Sequence, residues 1–126
     1  ITDTGPGDLF VVRNIGNFVA PYKLDEDYHS TAAAIEYAVN ILEVEDIIVC
    51  GHSQCGAISA LYYNDSKFEK KGIPHVKTWL ELGKDAKDFV QEWGEDLTQE
   101  DKLTMTEEVS VLFQLENLLT YPSVSE

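Results

Sequence analysis

The apolar positions of this chain form two short continuous runs in its first half and helically spaced sets elsewhere. After the turn residues Gly5-Pro6-Gly7, Leu9 to Val12 is a β-branched and aromatic run that ends at Arg13 and Asn14, which predicts a strand feeding a loop. The loop passes Gly16, Asn17, Pro21 and the acidic stretch Asp25 to Asp27 before reaching Ser30 or Thr31 as a helix N-cap. Ala32 to Leu42 is rich in helix formers, and Ile35, Val39 and Leu42 recur at helical spacing, predicting one buried stripe. Ile47-Ile48-Val49-Cys50 is a continuous apolar run ending at Gly51, the pattern of a strand covered on both faces in a parallel sheet. A helix from about Gly56 to Tyr63 completes an alternation of strand and helix that predicts an α/β fold.

Further along, Asn64 to Pro74 is polar and carries Gly72 and Pro74, so it predicts a loop. His75 to Leu82 and Ala86 to Trp93 predict two helical pieces separated by Gly83, and Thr104 to Leu119 a longer helix that Tyr121-Pro122 stops. In that helix Val109, Leu112, Phe113, Leu115, Glu116 and Leu119 mostly trace one face, with Glu107 and Glu108 near its predicted start. Trp79, Trp93, Tyr62 and Tyr63 suit helix packing, and His75 reads as a surface histidine. No repeat, low-complexity tract or linker divides the chain, so residues 1–126 are expected to form one domain.

A length of 126 residues with 44% apolar content is enough for one core. No apolar run approaches the roughly 18 residues of a membrane span, and Ile1 to Gly7 lacks the pattern of a signal peptide. The net charge of −14 argues against nucleic acid and anionic membrane as partners, because binding to both draws on Lys and Arg. It favours a neutral small ligand only weakly. Two cysteines close together make no disulfide framework, and a reducing, cytoplasmic setting fits them best.

Both cysteines and one of the three histidines lie in CGHSQCGA, Cys50 to Ala57, at the carboxyl end of the second predicted strand. Ligands bind beyond such strand ends in open α/β sheets. His52 and Cys55 offer an imidazole and a thiolate that can converge on one zinc ion, while Gly51, Gly56 and Ala57 let the backbone crowd it. The same residues also read as a buried cysteine, a hydrogen-bonded histidine and a glycine turn. Two donors, moreover, are fewer than a catalytic zinc site takes from protein. Cys50, inside the apolar run, is expected to face the core.

The stretches PGDLFVVRNIGN (Pro6 to Asn17), STAAAIEYAV (Ser30 to Val39), EDIIVCGHSQCGA (Glu45 to Ala57) and ENLLTYPSV (Glu116 to Val124) resemble the β-class carbonic anhydrases in order and spacing. The resemblance implies a central, mostly parallel sheet flanked by helices, and reversible hydration of carbon dioxide to bicarbonate and a proton. It implies Zn2+ as the cofactor, held by two cysteines and a histidine, of which the H-x-x-C element maps onto His52 and Cys55. Zinc in such a site makes hydroxide available at neutral pH. The family's first cysteine and its Asp-Arg dyad belong to a C-x-D-S-R motif that would precede Ile1, so no catalytic group is identifiable in the chain itself. By the same resemblance Ile15, Gly16 and Gly56 line the small substrate pocket. Arg13 and Tyr37 match positions that hold an inhibitory bicarbonate in a regulated subset, with an interface arginine and a core tyrosine as the plainer readings. Tyr28 and His29 are candidates for proton transfer, for which a solvated role is the stronger reading.

The motif lost before Ile1 would end a strand lying between the two visible ones, and a last strand would follow Glu126. The domain is therefore expected to be incomplete at both ends. Two functions of different class follow: a zinc lyase acting as a homodimer or homotetramer, or a metal-poor, non-catalytic scaffold of the same fold. Relatives that hydrate carbon disulfide or carbonyl sulfide are a third possibility.

Overall fold

The helical spacings are realised in a computed structural model of the protein, which describes residues 2–126. Ser30–Glu36 forms α1 and runs on into a wider turn, Tyr37–Ile41, closed by the Leu42 N–H on the Tyr37 carbonyl at 3.0 Å. Gly56–Ala60 forms α2, Asp65–Lys71 α3, Pro74–Leu80 α4, Lys84–Trp93 α5, Gln99–Leu118 α6 and Pro122–Ser125 α7. The interruption at Gly83 is a tight turn, Glu81–Gly83, between α4 and α5. A Cβ at Gly83 would lie 2.7 Å from Leu61 Cδ2 and 2.8 Å from Phe18 Cζ, so close packing selects glycine there.

The predicted loop at Asn64 to Pro74 holds α3 instead. Asn64 accepts the Lys67 N–H at 3.0 Å as N-cap, Asp65 opens the helix, Lys70 and Lys71 close it, and Gly72 ends it at φ 64°. Each feature complements a helix end. Phe68 anchors the helix in a core shared with Phe18, Cys55, Ile58, Leu61 and Leu80.

The long helix also differs from its predicted face. Thr98 caps α6 by accepting the Asp101 N–H at 3.2 Å, five residues before Leu103, and the buried stripe is Thr106, Ser110, Gln114 and Leu118. Leu112, Leu115 and Leu119 face solvent. The reason is hydrogen bonding: this side of α6 serves the main chain of residues 19–22. Gln114 Oε1 accepts the Val19 N–H at 2.7 Å, Asn117 donates to the Val19 carbonyl at 2.8 Å, and beyond the helix Tyr121 donates to the Ala20 carbonyl at 2.8 Å and Thr120 Oγ1 accepts the Tyr22 N–H at 2.7 Å. Buried main-chain groups must be paired, and polar side chains pair them here. A second cluster, Val19, Leu118 and Tyr121, packs around these bonds.

The two strand-like runs need correction. Among the described residues no segments pair as strands, so the parallel sheet is not formed in this structure. Without a ladder to cover it, Val11 is 66% and Ile48 81% exposed, and Cys50 faces solvent rather than the core. Trp93, expected in packing, is also exposed, whereas Trp79 packs against the Phe18 cluster.

Candidate metal site

Gln54 adopts φ 55°, the left-handed region that side chains with a Cβ seldom occupy, between His52 and Cys55. That reversal leaves His52 at the surface and carries Cys55 inward, where it precedes α2 as a buried free thiol. His52 Nδ1 lies 2.7 Å from the Ser53 carbonyl. A carbonyl can only accept, so Nδ1 carries the proton in this contact, and in the neutral ring Nε2 is then the nitrogen with the lone pair. A neutral imidazole with one nitrogen tied to a main-chain carbonyl is the usual state of a metal-binding histidine. The thiol and the imidazole are donors zinc accepts, and on that chemistry the pair fits part of a zinc site.

Side chains of α6 seat this turn through two hydrogen bonds. The Cys55 N–H donates to Glu107 Oε1 at 3.3 Å, and Tyr62, just past α2, exchanges a 2.7 Å bond with Thr106 Oγ1. Consecutive residues of α6 thus hold both ends of the α2 region.

The loop of R-N-x-G-N closes against the same turn. A Cβ on Gly51 would stand 3.3 Å from Asn17 Oδ1, so the two motifs are in direct contact. Asn14 brackets the loop with both ends of its amide, donating to the Phe18 carbonyl and accepting the Phe18 N–H, each at 2.9 Å. Trp79 Nε1 donates to the Ile15 carbonyl at 2.6 Å. Gly16 is buried at φ 79°, and a Cβ there would meet the Phe18 ring at 2.7 Å. Phe18 in turn shares a core with Cys55.

The residues singled out from sequence are thus spread over distinct surroundings. Gly16 lies behind the loop, Ile15 and Arg13 are exposed on its outer side, and Gly56 opens α2 with free space where a Cβ would be. Tyr37 is half exposed and stacks on Phe10 with ring centroids 5.9 Å apart. Tyr28 is fully exposed. An open cleft of about 980 Å³ runs beside Arg13, Ile15, Tyr22, His29, Trp79 and Tyr121, and neither His52 nor Cys55 lines it.

His29 Nε2 lies 2.6 Å from Asp25 Oδ1. That bond, then the Asp27 N–H, holds the Asp25 carboxyl below its ordinary range. Donor atoms of Asp25, Asp27 and His29 gather within 4.8 Å of one another, but these contacts already account for the turn. Sequence reasoning read Glu107 only as a charge near a helix start, Asn14 as the end of an apolar run and Trp79 as packing, and gave Gln114 no role. All four act on main-chain groups, whose positions follow from tertiary structure and leave no spacing signal in the chain.

Comparison with known proteins gives this arrangement its context. The family model described as carbonic anhydrase matches residues 1–126. The chain is 39% identical over 121 residues to beta carbonic anhydrase 3 of Arabidopsis thaliana, covering 95% of this chain and 46% of that protein. It is 40% identical over 124 residues to a carbonic anhydrase of Synechocystis sp., covering 98% and 44%, and 32% identical over 127 residues to one of Helicobacter pylori, covering 100% and 58%. The solved structure titled "The structure of the beta-carbonic anhydrase CcaA" superposes with a TM-score of 0.89 at 40% identity, over 98% of this chain and 54% of that one. The chain belongs to the carbonic anhydrase family and has a β-carbonic-anhydrase-like fold. It spans about half the length of the relatives it matches. Among the described residues no helix is long and apolar enough to cross a membrane.

Proposed function

We propose that the protein containing this chain is a zinc-dependent carbonic anhydrase that interconverts carbon dioxide and bicarbonate. Family membership supports the reaction, and one structural observation supports this location for it: His52 is fixed through Nδ1 to the Ser53 carbonyl, with Nε2 left to bind, three residues before a free Cys55 thiol on the same turn. In this reading His52 Nε2 and Cys55 Sγ hold the zinc, and a third protein donor comes from outside residues 1–126. Zinc, when bound, supplies the Lewis acidity that brings ionisation of water near neutral pH.

The chain's own residues do the positioning. Ser53 fixes the imidazole ring, and the burial of Cys55 against Phe18, Ile58 and Leu61 keeps its sulfur in one place. Gly56 has open space beside it, and with Gly16 and Ile15 it is proposed, from the resemblance, to line the pocket for a small neutral molecule. Arg13 and Tyr37 are proposed to hold bicarbonate away from the metal. The remaining proposals are a central parallel sheet completed in the whole protein, a homodimer or homotetramer, and a cytoplasmic location. The exposed apolar side chains Val11, Ile48, Leu112 and Leu119 support a chain that buries more surface in its assembly.

The test is carbon dioxide hydration followed by indicator absorbance in a stopped-flow instrument. The whole protein should be active, lose activity to a strong chelator and regain it with zinc. His52→Ala and Cys55→Ser should each reduce the rate to that of buffer. Full activity in either variant would refute this assignment of the ligands.

A further inference from the structure

We propose that Glu107 is a positioning residue for the metal ligand Cys55. This rests on the reading of Cys55 as a ligand. Its basis is the bond from the Cys55 N–H to Glu107 Oε1 at 3.3 Å, which joins residues far apart in sequence. Cys55 stands just before α2, where its carbonyl accepts the Ser59 N–H at 3.1 Å; its own side chain makes no capping bond, and the carboxylate from α6 is the partner of its N–H. Glu107 itself is half-buried in the middle of α6 and forms no ion pair among the described residues.

The adjacent α6 residue shows what a purely structural contact looks like. Thr106 is fully buried and bonds Tyr62, past the far end of α2 and away from the ligand. Losing the Thr106 bond should loosen the packing of α2 on α6. Losing the Glu107 bond should leave the N–H of the ligand residue untied and loosen the main chain on the side away from α2. Metal ligands depend on the groups that orient them, and removing such a group typically weakens metal binding by about 10- to 100-fold.

The experiment measures zinc affinity by chelator competition in the whole protein, for Glu107→Ala, Glu107→Gln, Thr106→Val and the parent, with thermal unfolding of each metal-free form. Glu107→Ala should weaken zinc binding by at least about tenfold. Glu107→Gln, which keeps an oxygen acceptor in place, should stay close to the parent. Thr106→Val should lower the unfolding temperature and leave zinc affinity unchanged. The cobalt-substituted Glu107→Ala protein should show an altered sulfur-to-metal charge-transfer band. The proposal is overturned if Glu107→Ala binds zinc like the parent, or if Glu107→Gln is weakened as much as Glu107→Ala. His52→Ala and Cys55→Ser separate the two levels: if they leave zinc binding intact, the ligand reading falls and this inference with it. If they abolish binding while Glu107→Ala does not alter it, only the inference falls.

Discussion

Gly16 combines a positive φ of 79° with a Phe18 ring that would sit 2.7 Å from any added Cβ. Gly16→Ala should therefore destabilise the fold by at least about 1–2 kcal/mol from backbone strain alone, read as a lowered denaturation midpoint. Asp25 sets a pH dependence. Its carboxyl is held below the ordinary aspartate value of 3.8, chiefly through the His29 hydrogen bond and then the Asp27 N–H. An acid favoured as carboxylate in the folded state contributes stability above its unfolded value and loses it as pH falls through the lower folded value. Acid unfolding followed below about pH 4 should show this loss in the parent and a flatter curve in Asp25→Asn. At this scale His52 and Cys55 could be named as proposed ligands from the sequence because their spacing is a motif. The Ser53 contact that fixes the imidazole was not legible, because it depends on a ring rotamer and on the direction of one carbonyl, neither of which leaves a spacing signal in the chain.

The helices were legible where apolar spacing or breakers mark them, as in α1, α4 and α5, and less so where capping carries the signal, as in α3. The face of α6 was misread for a physical reason. Its apolar residues suggested a greasy contact, while its buried side is mostly polar, with Gln114 and the neighbouring Asn117 pairing with the main chain of Val19. Gln114→Leu should therefore be harmful although it adds an apolar side chain. It leaves the buried Val19 N–H without its acceptor, a loss of about 1–3 kcal/mol that urea unfolding would measure. Tyr121 gives the same region an alkaline limit. Burial first, and then the charge of Glu36, raises its phenol above the ordinary value of 10.0. A group that must stay protonated in the folded state loses its contribution as pH rises from the unfolded value toward the folded one. Stability measured against pH should fall above about 10, and less steeply in Tyr121→Phe once its lower starting stability is subtracted.

The molecule as a whole carries a family fold without the sheet that the apolar runs predicted. Leu9 to Val12 and Ile47 to Cys50 have strand composition, but a strand needs a neighbour, and the chain brings none to either run among the described residues. The β-carbonic-anhydrase-like fold was thus legible from the resemblance, whereas the parallel sheet expected from the apolar runs is not formed among the described residues, because pairing belongs to an assembly of segments. In the whole protein, amides of Ile47 to Cys50 should exchange slowly with deuterium if a sheet covers them. The central claim is that His52 and Cys55 belong to a zinc site, and native mass spectrometry of the whole protein tests it most directly. The account predicts one zinc per chain in an assembled dimer or tetramer, absent from His52→Ala and from Cys55→Ser. A metal-free parent, or zinc retained in both variants, would contradict it.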